Sequence, residues 1–116
     1  MNDKADEFDF ATPDRLFDET HTEVRYGETD QMGVVYHANF FLYFEMGRTE
    51  YLRSLGVTYR DLEERGIFLV VVDCGARYRQ NASYDDLLAI RTWVRDMTRV
   101  RITFAYEVCK DGEVLV

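Results

Sequence analysis

Residues 25–40 read RYGETDQMGVVYHANF, and the rest of the chain is organised around them. The strand-like Glu23–Tyr26 gives way to short polar and small residues, Gly27, Thr29, Asp30 and Gly33, which break an extended pattern. Asn39 is a good N-cap for the apolar run that starts at Phe40. The stretch is therefore expected to form a strand–loop–helix corner. It sets a carboxylate, Asp30, and an imidazole, His37, on either side of a glycine-containing turn that feeds a helix. A carboxylate near the open N–H groups of a helix start is suited to attack a carbonyl, or to activate water against it, while those N–H groups stabilise the oxyanion.

Upstream of the corner, Glu19–Tyr26 reads as a strand. Residues 1–18 are acidic, hold the only proline, Pro13, and show no sustained period, which predicts a flexible arm. Phe8, Phe10, Leu16 and Phe17 would let that arm pack on the domain spanning residues 19–116. Downstream, Phe40–Leu55 reads as a helix about 24 Å long, closed by Gly56. Its apolar positions Phe40, Phe41, Phe44, Tyr51, Leu52 and Leu55, with the small Gly47, cover much of the circumference and predict burial on more than one side. Thr58–Arg65 reads as a short second helix ended by Gly66.

From Ile67 the period changes. Ile67–Tyr78 begins as a continuous apolar strand, and Leu87–Asp96 is β-like. Val100, Ile102, Phe104, Tyr106 and Val108 then alternate against Arg101, Thr103, Ala105, Glu107 and Cys109. Asp111-Gly112 is a hairpin turn signal. Only Glu113–Val116 follow, too few to pair the whole preceding strand, so a further strand beyond a truncated C-terminus is expected. A long apolar helix after the first strand, followed by consecutive antiparallel strands, predicts an α+β layer with the sheet wrapped around the helix.

At 116 residues the chain is one domain, small enough that a partner subunit would help bury its core. An apolar fraction of 47% with 15% aromatic residues excludes a disordered chain. The net charge of −8 lacks the basic field that would follow a nucleic-acid backbone, which argues against DNA or RNA as partner. Cys74 and Cys109 sit in apolar runs without C-x-x-C spacing, and both are expected to be small buried hydrophobes in a reducing compartment. No apolar stretch approaches the roughly 20 residues of a membrane span, and the acidic start does not resemble a signal sequence, so a cytoplasmic location is expected.

The run Asp30–Phe40, D-x-x-G-V-V-Y-H-A-N-F, followed by Tyr43, Phe44, Glu45, Arg48 and Thr49, resembles the 4-hydroxybenzoyl-CoA thioesterase-type acyl-CoA thioesterases of the hot-dog fold. The resemblance is dense over Glu23–Gly56 and continues as strand pattern beyond it. It implies hot-dog topology, a homodimer or homotetramer with sites shared between subunits, an acyl-CoA substrate, and thioester hydrolysis without a cofactor. Asp30 matches the family's nucleophile or general base, and an aspartate in water is anionic at neutral pH. His37 matches the position whose backbone N–H polarises the thioester carbonyl, and whose side chain is histidine in some members and tyrosine in others.

Gly33, where a positive φ or close approach is expected, joins Val34, Val35, Tyr36 and Asn39 as candidate substrate-binding residues. Among the late arginines, Arg77 and Arg79 are the candidates to meet the coenzyme A phosphates, because guanidinium matches phosphate bidentately. The plainer reading of that arginine-rich stretch is a solvated sheet face with ion pairs. Asp30 alone would read as an Asx-turn residue, Tyr36 as core, Asn39 as a cap, and Glu45 as an i,i+3 ion pair with Arg48.

His37 and His21 lie too far apart, without helical H-x-x-x-H spacing, to suggest a metal site. No G-x-S-x-G elbow or phosphate-binding G-x-x-x-x-G-K is present. The rival readings on the same fold are a non-catalytic acyl-thioester binding module, in which Asp30 is only a turn residue, and a dehydratase, which needs a differently placed histidine and acid.

Overall fold

A computed structural model describes residues 17–116. Strands β1 (Asp18–Glu23), β2 (Leu87–Met97), β3 (Ile102–Lys110) and β4 (Glu113–Val114) form one antiparallel sheet in the order β1-β2-β3-β4. Helices α1 (Phe40–Ser54) and α2 (Tyr59–Glu64) separate β1 from β2. The expected arm falls outside the described residues up to position 16. Strand β1 already begins at Asp18, and the ring of Phe17 lies 5.6 Å from the Arg91 guanidinium.

Helix α1 buries Phe40, Tyr43, Phe44 and Gly47, spaced i, i+3, i+4, i+7, on the sheet. Phe44 stacks on Tyr106 at 4.8 Å between ring centroids, and Val108, Ile90 and Leu88 complete the floor of the core. The helix comes so close to β2 at Gly47 that a Cβ there would fall against Thr92 Oγ1 and 2.8 Å from Ile90 Cγ2. The expected burial on several sides is not met among the described residues. Leu42 and Leu55 are exposed, because the sheet covers one stripe of the helix only.

Local signals hold at the helix and hairpin ends. Gly56 (φ +82) and Gly66 (φ +79) end their helices, and Thr58 forms a capping box with Asp61. Asp111 (φ +51) and Gly112 (φ +81) both adopt the left-handed conformation that a two-residue hairpin turn needs. Beyond it, Val114 pairs with Cys109, and Leu115 and Val116 are buried.

Three expectations are corrected. The first strand ends at Glu23, and Tyr26–Glu28 is a 3-10 turn. Ile67–Tyr78 is not a strand: among the described residues, backbone hydrogen bonds meet residues 67–80 only at the ends of the run. Ile67 N–H donates to Leu62 O, while Arg79 and Gln80 N–H donate to Leu115 O. A strand is defined by a neighbour, and β-branched composition cannot supply one. Cys74, carried on this run, is consequently exposed, whereas Cys109 in β3 is buried as expected.

Candidate active site

The corner is a small hairpin laid beside the entry to α1. Thr29 bridges Val35, Asp30 N–H donates to Val34 O at 2.9 Å, and Gly33 N–H closes the turn onto Asp30 O at 3.0 Å. Gly33 has φ +84, the left-handed geometry expected of it. Asp30 is exposed on this hairpin, and its Oδ1 accepts the Met32 N–H at 2.8 Å, an Asx turn.

The chain then enters α1 through a 3-10 turn over His37–Asn39. Asn39 N–H donates to Tyr36 O, so the His37 and Ala38 N–H groups precede the first bond of the turn and have no partner within it. The expected Asn39 cap is not formed. Its side chain instead donates to Glu28 O at 2.9 Å, and α1 begins without a side-chain cap.

Asp30 and His37 thus stand on opposite limbs of one hairpin, joined through the Thr29–Val35 bridge and the Tyr36 N–H to Glu28 O bond of 3.0 Å. The His37 ring is exposed beside Tyr36, with centroids 4.6 Å apart. Val34 bridges Ser83, while Val35 turns into the core at 4% exposure. Arg77 and Arg79 flank Tyr78, whose hydroxyl donates to His37 O at 2.9 Å and whose ring meets those of His37 and Phe40 edge-on. Burial pushes the Tyr78 hydroxyl above its ordinary range, so it stays a proton donor.

Two participants escaped the sequence reading. Tyr78 lies 41 residues from His37, on a run whose pattern speaks only of strand. Glu28 is a buried carboxylate in a stretch that otherwise reads as polar loop. Its Oε1 accepts both the Arg25 N–H at 3.0 Å and the Tyr43 hydroxyl at 2.8 Å. Burial, then the bond to Glu28, raises the Tyr43 hydroxyl far above its ordinary value. Glu45, by contrast, is exposed and 4.0 Å from Arg48, the i,i+3 pair anticipated for it. His21 pairs with Glu19 in β1.

An antiparallel sheet bearing one main helix has close counterparts. Residues 24–116 match the thioesterase-like superfamily, and the chain belongs to that family, with its hot-dog fold. It is 40% identical over 86 residues to YneP of Bacillus subtilis, covering 74% of this chain and 62% of YneP. It is 39% identical over 93 residues to the acyl-CoA thioesterase YbgC of Haemophilus influenzae, covering 79% of this chain and 68% of YbgC. The DHNA-CoA thioesterase structure from Staphylococcus aureus superposes with a TM-score of 0.82 at 37% identity, over 85% of this chain and 67% of that one. No helix of the described residues is long and apolar enough to cross a membrane.

Proposed function

We propose that the chain is a cytoplasmic acyl-CoA thioesterase in which Asp30 is the nucleophile or general base and the His37 and Ala38 amides receive the oxyanion. The observation that carries this reading is the hairpin linking an exposed carboxylate to the uncapped start of α1. Water, its proton taken by Asp30, adds to the thioester carbonyl, or Asp30 adds directly and water later opens the anhydride. In the first route the C–S bond of the adduct breaks, the thiolate leaves and takes the proton held by Asp30, and the acyl group departs as carboxylate. In the second the same bond breaks as the anhydride forms, before water opens it, and the thiolate takes a proton released from that water. Gly33, Val34 and Tyr36 would line the acyl path, Asn39 and Val35 would support it from behind, and Arg77 and Arg79 would meet the coenzyme A phosphates. Release of free thiol from a panel of acyl-CoA esters tests the proposal; no release from any of them would sink it.

The amide role makes a distinct prediction for His37→Tyr. Fixed backbone dipoles outlast a side-chain change, so this variant should keep most of its activity, with an aromatic hydrogen-bonding group still beside Tyr78. If the imidazole itself moved protons, the change would cost on the order of 10²-fold and erase a limb of the pH–rate profile. A folded His37→Tyr protein that binds substrate without turning it over would refute the backbone role.

The Asx turn favours a second reading, a binding module, because it gives Asp30 a structural task. Only Oδ1 takes part in that turn, and a carboxylate needs just one oxygen to act as base.

The assembly is proposed to be a homodimer or higher homo-oligomer. Phe68, Val70 and Val72 are 66%, 76% and 72% exposed, and residues 68–72 make no backbone hydrogen bond among the described residues. An exposed apolar stretch of this kind invites burial against a second copy. Light scattering at micromolar concentration should report at least a dimer, and a monomer alone would contradict it.

A further inference from the structure

We infer that Glu28 is the positioning residue of this site, setting the hairpin that carries Asp30 against the helix-entry amides. The inference rests on reading Asp30 as the reacting carboxylate. Glu28 lies two residues before it and makes contacts in three directions. Backwards, Oε1 accepts the Arg25 N–H at the foot of β1 at 3.0 Å. Sideways, the same oxygen accepts the Tyr43 hydroxyl of α1 at 2.8 Å, in a buried contact. Forwards, its carbonyl accepts two donors, Tyr36 N–H at 3.0 Å and Asn39 Nδ2 at 2.9 Å, which use both lone pairs.

The strand end, the core of the helix and the helix entry are thereby tied to one residue. Charge-assisted and buried bonds are the ones that hold geometry best. The Arg25 side chain, 3.3 Å away but 74% exposed, adds little. The work falls on hydrogen-bond acceptance rather than on net charge, and a Gln oxygen would accept the same two donors.

The forward contact also engages the side chain at the N-cap position of α1, which makes no cap bond. Asn39 is the residue equipped to satisfy first-turn N–H groups. Its Nδ2 donates to Glu28 O instead, and α1 starts without a side-chain cap, while the His37 and Ala38 amides lie ahead of that cap position, before the first bond of the 3-10 turn. Glu28 therefore contacts both halves of the site: its side chain holds the foot of the hairpin to α1, and its carbonyl holds Tyr36 and Asn39 at the helix entry.

The test compares Glu28→Ala, Glu28→Gln and Tyr43→Phe with the unmodified protein, in thioester kinetics and in amide hydrogen exchange. Glu28→Ala should lower kcat on the order of tenfold, the scale of modest misplacement, at nearly constant KM. Exchange at the Asp30 and Tyr36 amides should accelerate in the same variant. Glu28→Gln should restore most of kcat and of the protection, and Tyr43→Phe should shift both readouts in the direction of Glu28→Ala. If Glu28→Ala does not fold, the Gln and Phe variants decide the question by the same criteria.

Glu28→Gln as inactive as Glu28→Ala would mean that the charge acts in the chemistry, overturning the positioning role. So would native kcat in Glu28→Ala, or a loss confined to KM. The exchange measurement needs no turnover. If Asp30→Asn proved fully active, the base assignment would fall, and unchanged protection in Glu28→Ala would separately overturn the positioning claim.

Discussion

Asp30→Asn is expected to lower turnover by about 10²-fold or more while leaving acyl-CoA binding close to native, the scale set by positioned acid–base groups. The substitution is chosen to leave the hairpin alone. Asn keeps the size of Asp, and its Oδ1 can accept the Met32 N–H that the carboxylate accepts at 2.8 Å. The Asp30 N–H to Val34 O and Gly33 N–H to Asp30 O bonds belong to the backbone and survive. What disappears is the anionic oxygen, which can take a proton from water or attack a thioester; an amide can do neither. Hydrolysis that is undiminished in the Asn variant would remove Asp30 from the mechanism and leave it the turn residue that its Asx bond describes.

The largest stability effect is expected at Gly47. Gly47→Val should destabilise the fold by about 3 kcal/mol, the upper part of the usual range for overpacking a filled core. The new Cβ would meet Thr92 Oγ1 and lie 2.8 Å from Ile90 Cγ2, and both neighbours are fully buried in β2. Neither has space to retreat, and a β-branched side chain in a helix has essentially one rotamer to offer. The urea midpoint would register the loss; an unchanged midpoint would show that α1 does not press on β2 as described. A milder pair sharpens the point. Gly47→Ala should be relieved by Thr92→Ala, since the Thr92 hydroxyl has no hydrogen-bond partner among the described residues to lose, and coupling between touching sites is the rule.

Features fixed by short-range stereochemistry could be read from residue order. Gly33 and the Asp111-Gly112 pair were assigned turns because few residues tolerate φ > 0, and the backbone bears this out. The stripe of α1 could be read because a helix returns to the same face every third or fourth residue. Asn39 was misread for the complementary reason: its propensity to cap is local, but the carbonyl that accepts from its side-chain amide lies 11 residues away. Glu28 and Tyr78 were invisible for the same reason, since nothing in either residue's neighbourhood announces Tyr43 or His37 as its partner. Ile67–Tyr78 shows the limit in its plainest form. Its composition states that it suits a sheet, and states nothing about which backbone would complete that sheet.

The bond from Tyr78 to His37 O gives that bare run a further significance. One end of the run is an exposed apolar surface without a backbone neighbour among the described residues, and near the other end a hydroxyl grips the turn whose amides are proposed to receive the oxyanion. Whatever orders residues 67–72 also restrains Tyr78, and so biases the orientation of the turn. By thermodynamic reciprocity, an anion settling on those amides must in turn favour the ordered run. Association and substrate affinity would then share a single free energy, and the concentration of protein would become a variable of its enzymology.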